Sequence, residues 1–319
     1  MATNNRIFYA VQSVAVCKTG FPPTAGASAN VAFLKGVQSV GITTNFTLEQ
    51  AFELGQVEIY ENSEDIADVE VTIEKLIDGE KLIYLSAVGN DGKTNVVSAS
   101  AKQCDVYLAI YADTNTSTSG QTPEKVVNCS GMYVSSISYT YPVDGNATES
   151  VTLVGNDKFW SDNIAGVIAD PKSSYGSPAT GTDGSDVPVS GIIRRNNVDV
   201  AGSTLPAEVT TQGPADSRHL QNISISADFG RENILELGRF GPYYKYATFP
   251  FEVTSEFEVI ATSGDLVSVS GNAENLTDRT IVIKDQAGTV IDLGTKNKLT
   301  SVSYSGGDTG GGNATGSFS

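Results

Sequence analysis

The alternation of apolar and polar residues divides this chain into short segments that have the period of a β-strand. The clearest are "VQSVGITTNF" at 37–46 and "LQNISISADF" at 220–229, which alternate as a strand does when one of its faces is buried. Further strands are predicted at 70–79 and 252–264, and mostly apolar, central strands at 105–113 and 279–285. The pattern favours an all-β protein with many turns.

The strand period breaks directly after each of the two clearest segments. In "TLEQAFELG" at 47–55, Leu48, Ala51 and Phe52 have the spacing of one helical face, and Gly55 follows as a C-terminal stop. The segment "GRENILELG" at 230–238 ends in the same way at Gly238. The sequence therefore predicts a short helix at each place.

The segment "SSISYTYPVDGNATESVTLVG" at 135–155 predicts a long β-hairpin. It turns at Asp144, Gly145 and Asn146, where residues that tolerate a positive φ are clustered. With the strands and helices above, it predicts a β-sandwich or partial barrel that carries one short helix.

Three blocks of this pattern occur twice, in the same order. Aligning 37–55 with 220–238 places Phe46 on Phe229 and Glu49 on Glu232. The motif "EVT" at 70–72 then matches "EVT" at 252–254, and the segment 133–150 matches 299–317. The order predicts two copies of one β-rich unit, at about 31–160 and 214–319.

The remaining segments complete the predicted domain organisation. Residues 161–213 are rich in Gly, Ser, Pro and Asp and predict an elaborated connection, in which the segment 190–200 offers one short strand with the Arg194–Arg195 pair. The first 20 residues predict an exposed strand rather than a signal peptide, because Gln12 and Ser13 interrupt the apolar patch. We therefore expect a first unit at 1–160, a connection at 161–213 and a second unit at 214–319.

Composition narrows the function. The 319 residues carry a net charge of −17, which argues against a nucleic-acid binder held by phosphate contacts and against a surface for anionic lipid. No apolar run is long enough for a membrane-spanning helix. Cys17, Cys104 and Cys129 have no metal-binding spacing and predict free thiols in a reducing cytoplasm.

Candidate catalytic chemistry is sparse. His219 is the single histidine, and a lone histidine beside a strand is usually solvated or satisfied. In a helix, the carboxylates Glu49/Glu53 and Glu232/Glu236 would lie one turn apart and could act as an acid–base pair. Carboxylates on an exposed helix face more often form salt bridges with a neighbour. The glycine-rich stretch at 306–316 has neither calcium-repeat periodicity nor a P-loop lysine. We expect no enzyme, no cofactor and no metal.

The segments 226–265 and 135–160 resemble tail tube and related virion structural proteins of long-tailed bacteriophages. The resemblance implies tube-like β-sandwich units with a flanking helix, which contribute to a closed ring barrel; stacked rings form a conduit through which genomic DNA leaves the virion. The usual tube subunit has one such unit, whereas this chain has two. The second unit also lacks a partner for the segment "SVTLVG" at 150–155, because the chain stops at Ser319.

The resemblance also implies partners and a location. If one unit is one-sixth of a ring, three chains close a pseudo-hexamer, and the partners are further copies of the chain, stacked as rings. Other implied partners are the tail terminator, the baseplate hub and, in a contractile tail, the sheath. DNA passes without tight binding, no membrane is involved, and the protein lies in the virion tail after assembly in the host cytoplasm.

Two sets of candidate site residues follow. The loop after the first predicted helix is acidic, whereas its counterpart in the second copy carries arginine, lysine and tyrosines, which anchor interfaces well. The predicted subunit interface comprises Glu49, Glu53, Glu58, Glu61, Glu64, Asp65, Glu232, Glu236, Arg239, Tyr243, Tyr244, Lys245 and Tyr246. The predicted lumen lining comprises Asp144, Asn146 and Glu149, with the strands at 37–46 and 220–229.

Two other classes of protein remain open. A bacterial cell-surface β-sandwich, such as an adhesin or array protein, fits the Ser, Thr and Gly content and the acidity equally well. The expected lack of a signal peptide and the free cysteines weigh against it. A carbohydrate-active β-sandwich enzyme ranks third, because the sequence offers no plausible active site.

Overall fold

The structure is a computed structural model that describes residues 12–20, 31–89, 96–99, 101–112, 122–162, 191–203, 219–261, 278–286, 288–306 and 312–319. Over these residues the chain is built almost entirely of antiparallel strands, so the predicted all-β class is confirmed. The glycine-rich residues 307–311 and most of the predicted connection lie outside the described part of the chain.

The first half of the chain is described by its strands and two short helices. They are β1 (Gln12–Lys18), β2 (Val31–Phe33), β3 (Val37–Asn45), β4 (Leu48–Phe52), β5 (Ile59–Glu64), β6 (Asp68–Leu76), α1 (Ile83–Ala87), α2 (Val96–Ala99), β7 (Cys104–Ile110), β8 (Lys125–Pro142), β9 (Thr148–Gly155) and β10 (Asp157–Asp162). The predicted hairpin at 135–155 is confirmed as the pairing of β8 with β9.

The second half begins with a 3₁₀ turn at Arg195–Asn197. It continues with β11 (Val198–Ser203), β12 (Leu220–Asp228), β13 (Arg231–Ile234), β14 (Tyr244–Ala247), β15 (Val253–Ile260), β16 (Thr280–Asp285), β17 (Val290–Asp292), β18 (Val302–Ser305) and β19 (Thr315–Phe318).

One antiparallel path crosses both halves of the chain. Its strand order is β3-β6-β9-β8-β12-β15-β19-β18, and we call it the long sheet. Strand β8 is the junction, because Tyr139 lies opposite Glu149 of β9 on one side and opposite Ile225 of β12 on the other. The two halves therefore share a continuous hydrogen-bonded sheet instead of forming separate bodies joined by a linker.

The 18-residue strand β8 belongs to two sheets. Residues 125–132 pair with β7 and β10 in a sheet ordered β2-β1-β7-β8-β10, and residues 133–142 pair with β9 and β12 in the long sheet. The strand changes direction at Gly131, which has a φ of +63° and donates its N–H to the Asp105 carboxylate at 2.9 Å. A left-handed residue is easiest to place as glycine, so the bend is encoded locally.

The first hydrophobic core lies between these two sheets. Alternate residues of β1, β6, β7 and β9, together with α1, bury their side chains in it, among them Val16, Val71, Ile73 and Leu153. The prediction of an exposed N-terminal strand was wrong: β1 lies between β2 and β7, with Val14–Cys17 almost fully buried. Its polar residues lie at the two ends of the strand, and at the start Ser13 contacts the Tyr111 hydroxyl at 3.2 Å.

The second core lies between the long sheet and a three-stranded sheet, β11-β16-β17. Val200, Ile281 and Ile283 from this small sheet pack with Ile225 and Phe257 of β12 and β15. The chain is thus two β-sandwiches placed side by side on one shared layer, in agreement with the predicted sandwich or partial-barrel units.

The two predicted helices at 47–55 and 230–238 were wrong. Strand β4 pairs with β5, and β13 pairs with β14, so each segment is one arm of a hairpin. Gly55 and Gly238 adopt φ values of +95° and +87°, as residues of turns between the arms. A helix of about nine residues is marginal in water, and pairing with the following strand satisfies the same backbone groups.

The strand registers relate the two halves more accurately than the sequence motifs do. Val40 pairs with Ile73 as Ile223 pairs with Phe257. Strand β3 therefore matches β12 in the alignment that places Phe46 on Phe229, and β6 matches β15 in nearly the same alignment. The two "EVT" motifs do not coincide in this register, but the side chains keep the same face, because the displacement is even and a strand has a period of two.

Candidate assembly surfaces

One face of the long sheet is polar over most of its length, with few apolar residues such as Val154. Its side chains alternate with the buried ones and are mainly Ser and Thr, including Thr43, Thr72, Ser138, Ser226 and Thr254. Within the strand residues that form the long sheet, Lys75 is the one basic residue, and it points into the core with no exposed surface. The polar face itself therefore presents hydroxyl groups and carboxylates without a cation.

Hydroxyl groups contact neighbouring strands across this face. The Ser39 hydroxyl donates to Glu74 at 3.2 Å, and the Ser317 hydroxyl donates to Glu256 at 2.7 Å. The hydroxyls of Thr72 and Thr152 lie 3.4 Å apart. Short hydroxylated side chains that contact one another give a flat surface with few flexible groups.

The two ends of the long sheet are strand edges. Strand β3 pairs only with β6, and β18 pairs only with β19, among the described strands. Unpaired strand edges offer rows of N–H and C=O groups to another strand. The two ends are thus the places where this sheet can be extended.

Strands β13 and β14 form a hairpin at Arg231–Ala247, which we call the second hairpin, and it packs on the first half of the chain. The Arg231 Nε donates to the Val134 carbonyl at 2.7 Å, and its guanidinium lies 5.2 Å from the Tyr133 ring centre. The Tyr244 ring meets Tyr133 edge-on, with 5.7 Å between the centroids. These contacts bring the hairpin across β8 onto the neighbouring unit.

A charged contact completes this packing. The Lys245 side chain is 7% exposed, and its ammonium lies 3.6 Å from the Asp68 carboxylate at the start of β6. Burial lowers the pKa of Lys245, and Asp68 opposes that shift by favouring the charged form. Lys245 therefore holds the hairpin to the first half through an ion pair in which the lysine is nearly buried, whereas the Asp68 side chain is 59% exposed.

Strands β4 and β5 form the corresponding hairpin at Leu48–Glu64, which we call the first hairpin, and all of its strand residues are exposed. Apolar side chains are among them: Phe52 is 66% exposed, and Leu54 and Val57 at the tip are exposed almost completely. Residues 48–65 carry six carboxylates and no basic residue. The first hairpin thus has the construction of the second but no surface of the described chain to cover it.

The residues predicted as the subunit interface lie on these two hairpins. Glu49, Glu53, Glu58, Glu61, Glu64 and Asp65 are all exposed on the first. On the second, Glu232 accepts a hydrogen bond from the Tyr246 hydroxyl at 2.9 Å, and Arg239 lies over the Tyr243 ring at 5.7 Å, while Glu236 is exposed at the tip. Tyr244 and Lys245 make contacts within the chain.

The predicted lumen residues do not lie together on the polar face. Asp144 is exposed in the β8–β9 turn, and Asn146 accepts a hydrogen bond from the Arg194 Nε at 3.2 Å. Glu149 has no exposed surface, so it is not available to line a channel. It shares the inward face of β9 with Val151 and Leu153, because residues two apart on a strand point the same way.

Glu149 instead fixes helix α1 in the core. Its carboxylate accepts the N–H groups of Ile83 at 2.6 Å and Tyr84 at 3.1 Å, and the Tyr139 hydroxyl at 3.2 Å. Burial raises its pKa, while the two backbone N–H groups and Lys75, opposite it on β6, act in the other direction. Lys75 also donates to the Lys81 carbonyl at 3.1 Å.

Other chemical groups do not assemble into a reactive site in the part of the chain that the structure describes. His219 is exposed, and its carbonyl accepts the Ile260 N–H. No group of three His, Cys, Asp or Glu residues within the described ranges is arranged to hold a metal ion. Across those ranges the helices lack the length and apolar character needed to cross a bilayer.

All three cysteines are buried, free thiols. Burial raises the pKa of Cys17 to about 12 and that of Cys129 to about 11, and it raises the pKa of Cys104 as well. Thiols of this kind react slowly, because the thiolate is the nucleophile.

Sequence reasoning expected a channel wall that does not bind DNA, but it missed one feature that organises these surfaces. The absence of basic residues from the polar face of the long sheet is readable from the sequence once the strands are known. The contrast between Phe46, 77% exposed, and Phe229, 1% exposed, is not readable, because the two residues have the same local pattern. Only the pairing of β8 with β12 distinguishes them.

The sequence matches no protein-family model and no curated protein. Among solved structures, the anti-feeding prophage cap (AFP tube terminating cap) aligns at a TM-score of 0.35 with 12% identity, covering 51% of this chain and 95% of that one. The sheath–tube complex of an extracellular contractile injection system, PVC, in its extended state aligns at a TM-score of 0.33 with 14% identity, covering 50% of this chain and 95% of that one. Hcp1 from Salmonella typhimurium aligns at a TM-score of 0.25 with 15% identity, covering 48% of this chain and 95% of that one.

Proposed function

We propose that this protein is a structural subunit of a phage-type tail tube, in which three two-unit chains form a pseudo-hexameric ring and the rings stack into a conduit. One observation carries the proposal. Inside the chain, the last strand of one four-strand set pairs with the first strand of the next, β8 with β12, and the free edges β3 and β18 stand where the same pairing would recur. A contact of this head-to-tail kind closes into a ring when the rotation allows it.

The duplication on which this proposal depends is supported by the pairing order. The sets β3-β6-β9-β8 and β12-β15-β19-β18 have the same sequence of antiparallel partners, with a hairpin at the same place in each. Strand β11 pairs with β16 as β1 pairs with β7. We therefore extend the proposed second unit to begin near Val198, inside the segment first assigned to the connection.

The proposed ring closure has a defined register. Ser226 lies opposite Ser138 in the β12–β8 pair, and Tyr139 lies opposite Ile225. The same register transferred to the free edges pairs Thr43 of one chain with Ser303 of the next, and Ile42 with Tyr304. Tyr304 is 53% exposed, so this pairing would also remove an aromatic side chain from water.

We propose that the polar face of the long sheet lines the channel. DNA phosphates gain affinity by releasing counterions to lysine and arginine side chains, and this face offers carboxylates such as Glu70, Glu74, Glu256 and Glu258 instead. Genomic DNA would thus pass without being held. The further proposed partners are a terminator, a baseplate hub and, in a contractile tail, a sheath, with the protein in the virion tail after assembly in the host cytoplasm.

The test uses cysteine pairs in the full-length chain, because the native thiols are buried. Thr43→Cys with Ser303→Cys should form a disulfide between chains and give covalent species up to a trimer in denaturing gels. Ser138→Cys with Ser226→Cys is the positive control, since it should join β8 to β12 inside one chain. Ser39→Cys with Ser303→Cys, displaced along β3 from the expected register, is the matched negative control.

The mass of the native assembly decides between outcomes. A trimeric particle with a central channel in electron micrographs supports the proposal. A stable monomer at micromolar concentration contradicts the tube function, and covalent species extending to six chains contradict the three-chain ring.

A further inference from the structure

We propose that the first hairpin of each chain docks on the second half of the neighbouring chain, as the second hairpin docks on the first half of its own chain. The inference rests on the proposed ring and assigns a specific surface to it. Its occupant is a second copy of this protein, because the docking surface that the second hairpin uses has a counterpart in the second half of the chain.

The two hairpins are equivalent residue by residue. Leu48 pairs with Glu64 as Arg231 pairs with Ala247, and Gln50 pairs with Asn62 as Asn233 pairs with Lys245. These pairs follow the alignment that places Phe46 on Phe229, so the hairpins also start from equivalent strands, β3 and β12. If β3 pairs with β18 of another chain, the first hairpin lies over that chain as the second lies over β8.

The exposed apolar residues of the first hairpin support a covered state. Phe229 is 1% exposed, with the Phe251 ring 5.1 Å away and its N–H bonded to the Ser135 carbonyl at 2.8 Å. Phe46, at the equivalent position, is 77% exposed, and Leu48 beside it is 57% exposed. Contiguous apolar surface of this kind marks an interaction site more often than a solvated loop.

The receiving surface follows from the strand registers. Ile137 of β8 corresponds to Val302 of β18, because Ile137 pairs with Val151 as Val302 pairs with Phe318. Counting back along the chain from Val302, through the residues that precede β18, places the largely buried Leu299 at the position of Val134 and Lys298 at that of Tyr133. Leu48 would therefore face Leu299, where the second hairpin places Arg231 beside Val134.

One pair of side chains at these positions has opposite charges, and a second pair joins an amide to a carboxylate. Glu61 occupies the position of Tyr244, which in the second hairpin packs on Tyr133, so Glu61 would meet Lys298 of the neighbouring chain. Asn62 occupies the position of Lys245 and would meet Glu252, which stands where Asp68 does. Lys298 is 43% exposed and contacts Asp278 at 2.5 Å. Because an ammonium has three N–H donors, it can contact Glu61 as well.

This arrangement also accounts for the difference in charge between the hairpins. The first carries only carboxylates, and the proposed receiving surface contains Lys296 and Lys298. The second carries three basic residues (Arg231, Arg239 and Lys245) against two carboxylates (Glu232 and Glu236), and its Lys245 meets Asp68. Two docking contacts with opposite polarity would keep each hairpin from the other's surface and fix the alternation of units in the ring.

The experiment joins Glu61→Cys to Lys298→Cys in the full-length protein with a short bis-maleimide reagent. Isolated, unstacked rings are selected by size before the reagent is added. We expect covalent dimers and trimers at several-fold higher yield than from Ser63→Cys with Lys298→Cys, in which the first thiol stands one pleat further along β5. The single variants Glu61→Cys and Lys298→Cys measure the background reaction.

The outcomes separate this inference from the proposed ring. Intact trimeric rings that give no excess of cross-linking over the Ser63→Cys control overturn the docking and leave the ring standing. Cross-links that form only after rings stack also overturn it, because they place the hairpin on the next ring. A wild-type protein that remains monomeric removes both proposals.

A charge-reversal pair gives an independent readout. Glu61→Lys should raise the concentration needed for half-maximal ring formation several-fold, and adding Lys298→Glu should restore it toward the wild-type value. Restoration supports a direct pairing of these side chains. A double variant as impaired as Glu61→Lys alone contradicts it.

Discussion

Phe46 and Phe229 follow the last residues of equivalent strands, yet one is 77% exposed and the other 1% exposed. Phe229 is covered because β12 lies beside β8, which brings its hairpin onto the first sandwich. Phe46 follows β3, which has no second neighbour in the described chain. The two side chains thus differ in exposure because β12 has a neighbouring strand on both sides, whereas β3 has one on only one side in the described chain.

Alanine at these two positions should therefore separate folding from assembly. Phe229→Ala should lower the free energy of unfolding by about 3–5 kcal/mol, as expected when a buried phenylalanine is truncated. Phe46→Ala should leave the unfolding of the dissociated chain within about 0.5 kcal/mol of wild type, as for most surface changes. Denaturant unfolding of monomer fractions gives both values.

The same pair of variants should behave in the opposite way in assembly. Phe46→Ala should weaken ring formation in analytical ultracentrifugation while the chain stays folded. An equal loss of unfolding free energy in both variants would show that Phe46 is buried within its own chain.

Glu149 predicts a pH dependence of stability. Burial raises its pKa in the folded chain above the ordinary value of 4.5, so the folded state holds the proton more tightly than the unfolded state does. The corresponding contribution to stability is complete below the unfolded pKa and is lost as pH rises through the folded pKa. Relative to Glu149→Gln, the wild-type protein should therefore lose unfolding free energy as pH rises from about 4 upward.

Urea unfolding of both proteins across this pH range measures the difference, and other carboxylates cancel in the subtraction. If the wild-type protein instead gains unfolding free energy relative to Glu149→Gln as pH rises, then Lys75 and the N–H groups of Ile83 and Tyr84 outweigh burial and lower the pKa of Glu149. Lys75→Met in both backgrounds then identifies the contribution of the lysine.

Lys245 and Arg239 should respond differently to charge reversal. Lys245→Glu places a carboxylate in a largely buried position beside Asp68, and we expect it to destabilise the chain by about 2 kcal/mol, within the usual range for destabilising substitutions. Arg239 is exposed at the tip of the second hairpin, so Arg239→Glu should leave the unfolding free energy nearly unchanged. Thermal unfolding of both variants at low and high salt measures the two effects. If Lys245→Glu and Arg239→Glu change the stability equally, Lys245 is solvated and the prediction is wrong.

Gly155 should not tolerate a side chain. A Cβ at this residue would lie 2.3 Å from the Sδ of Met132, which is fully buried. Gly155→Ala should cost about 1–3 kcal/mol, the usual cost of overpacking a core. Gly41→Ala is the matched control, because a Cβ there has no atom within 4 Å, and Met132→Ala should recover part of the loss in the double variant.

Much of the fold could be predicted from the sequence because apolar and polar residues alternate along strands that have one buried and one exposed face. The segments 37–46 and 220–229 and the β8–β9 hairpin carry this signal, whereas the fully buried strand β7 is indicated by its apolar content. The hairpins at 47–64 and 231–247 do not: their apolar residues are spaced for a helix, and their true partners lie across a turn. Spacing alone does not reveal which strand a segment will pair with.

The candidate sites were predictable only in part. The charge contrast between the two hairpins is visible in the sequence, and the residues that carry it do lie on the two hairpins. Glu149 does not lie on the polar face and Lys245 is buried within its own chain, and local patterns do not show either, because a folded chain buries such charged residues only with a partner, here Lys75 or Asp68. Both partners lie far away along the sequence, on strand β6, beyond the reach of local patterns.

The two units that meet at the β8–β12 pair belong to one polypeptide, and this has a kinetic consequence for a ring of three chains. Three of the six junctions between units would form as each chain folds, at an effective local concentration on the order of millimolar, whatever the concentration of the protein. The equilibrium concentration of rings would then depend on the third power of the chain concentration, whereas for single-unit subunits it would depend on the sixth power of the subunit concentration. Rings would nucleate in dilute solution and lose their subunits two units at a time.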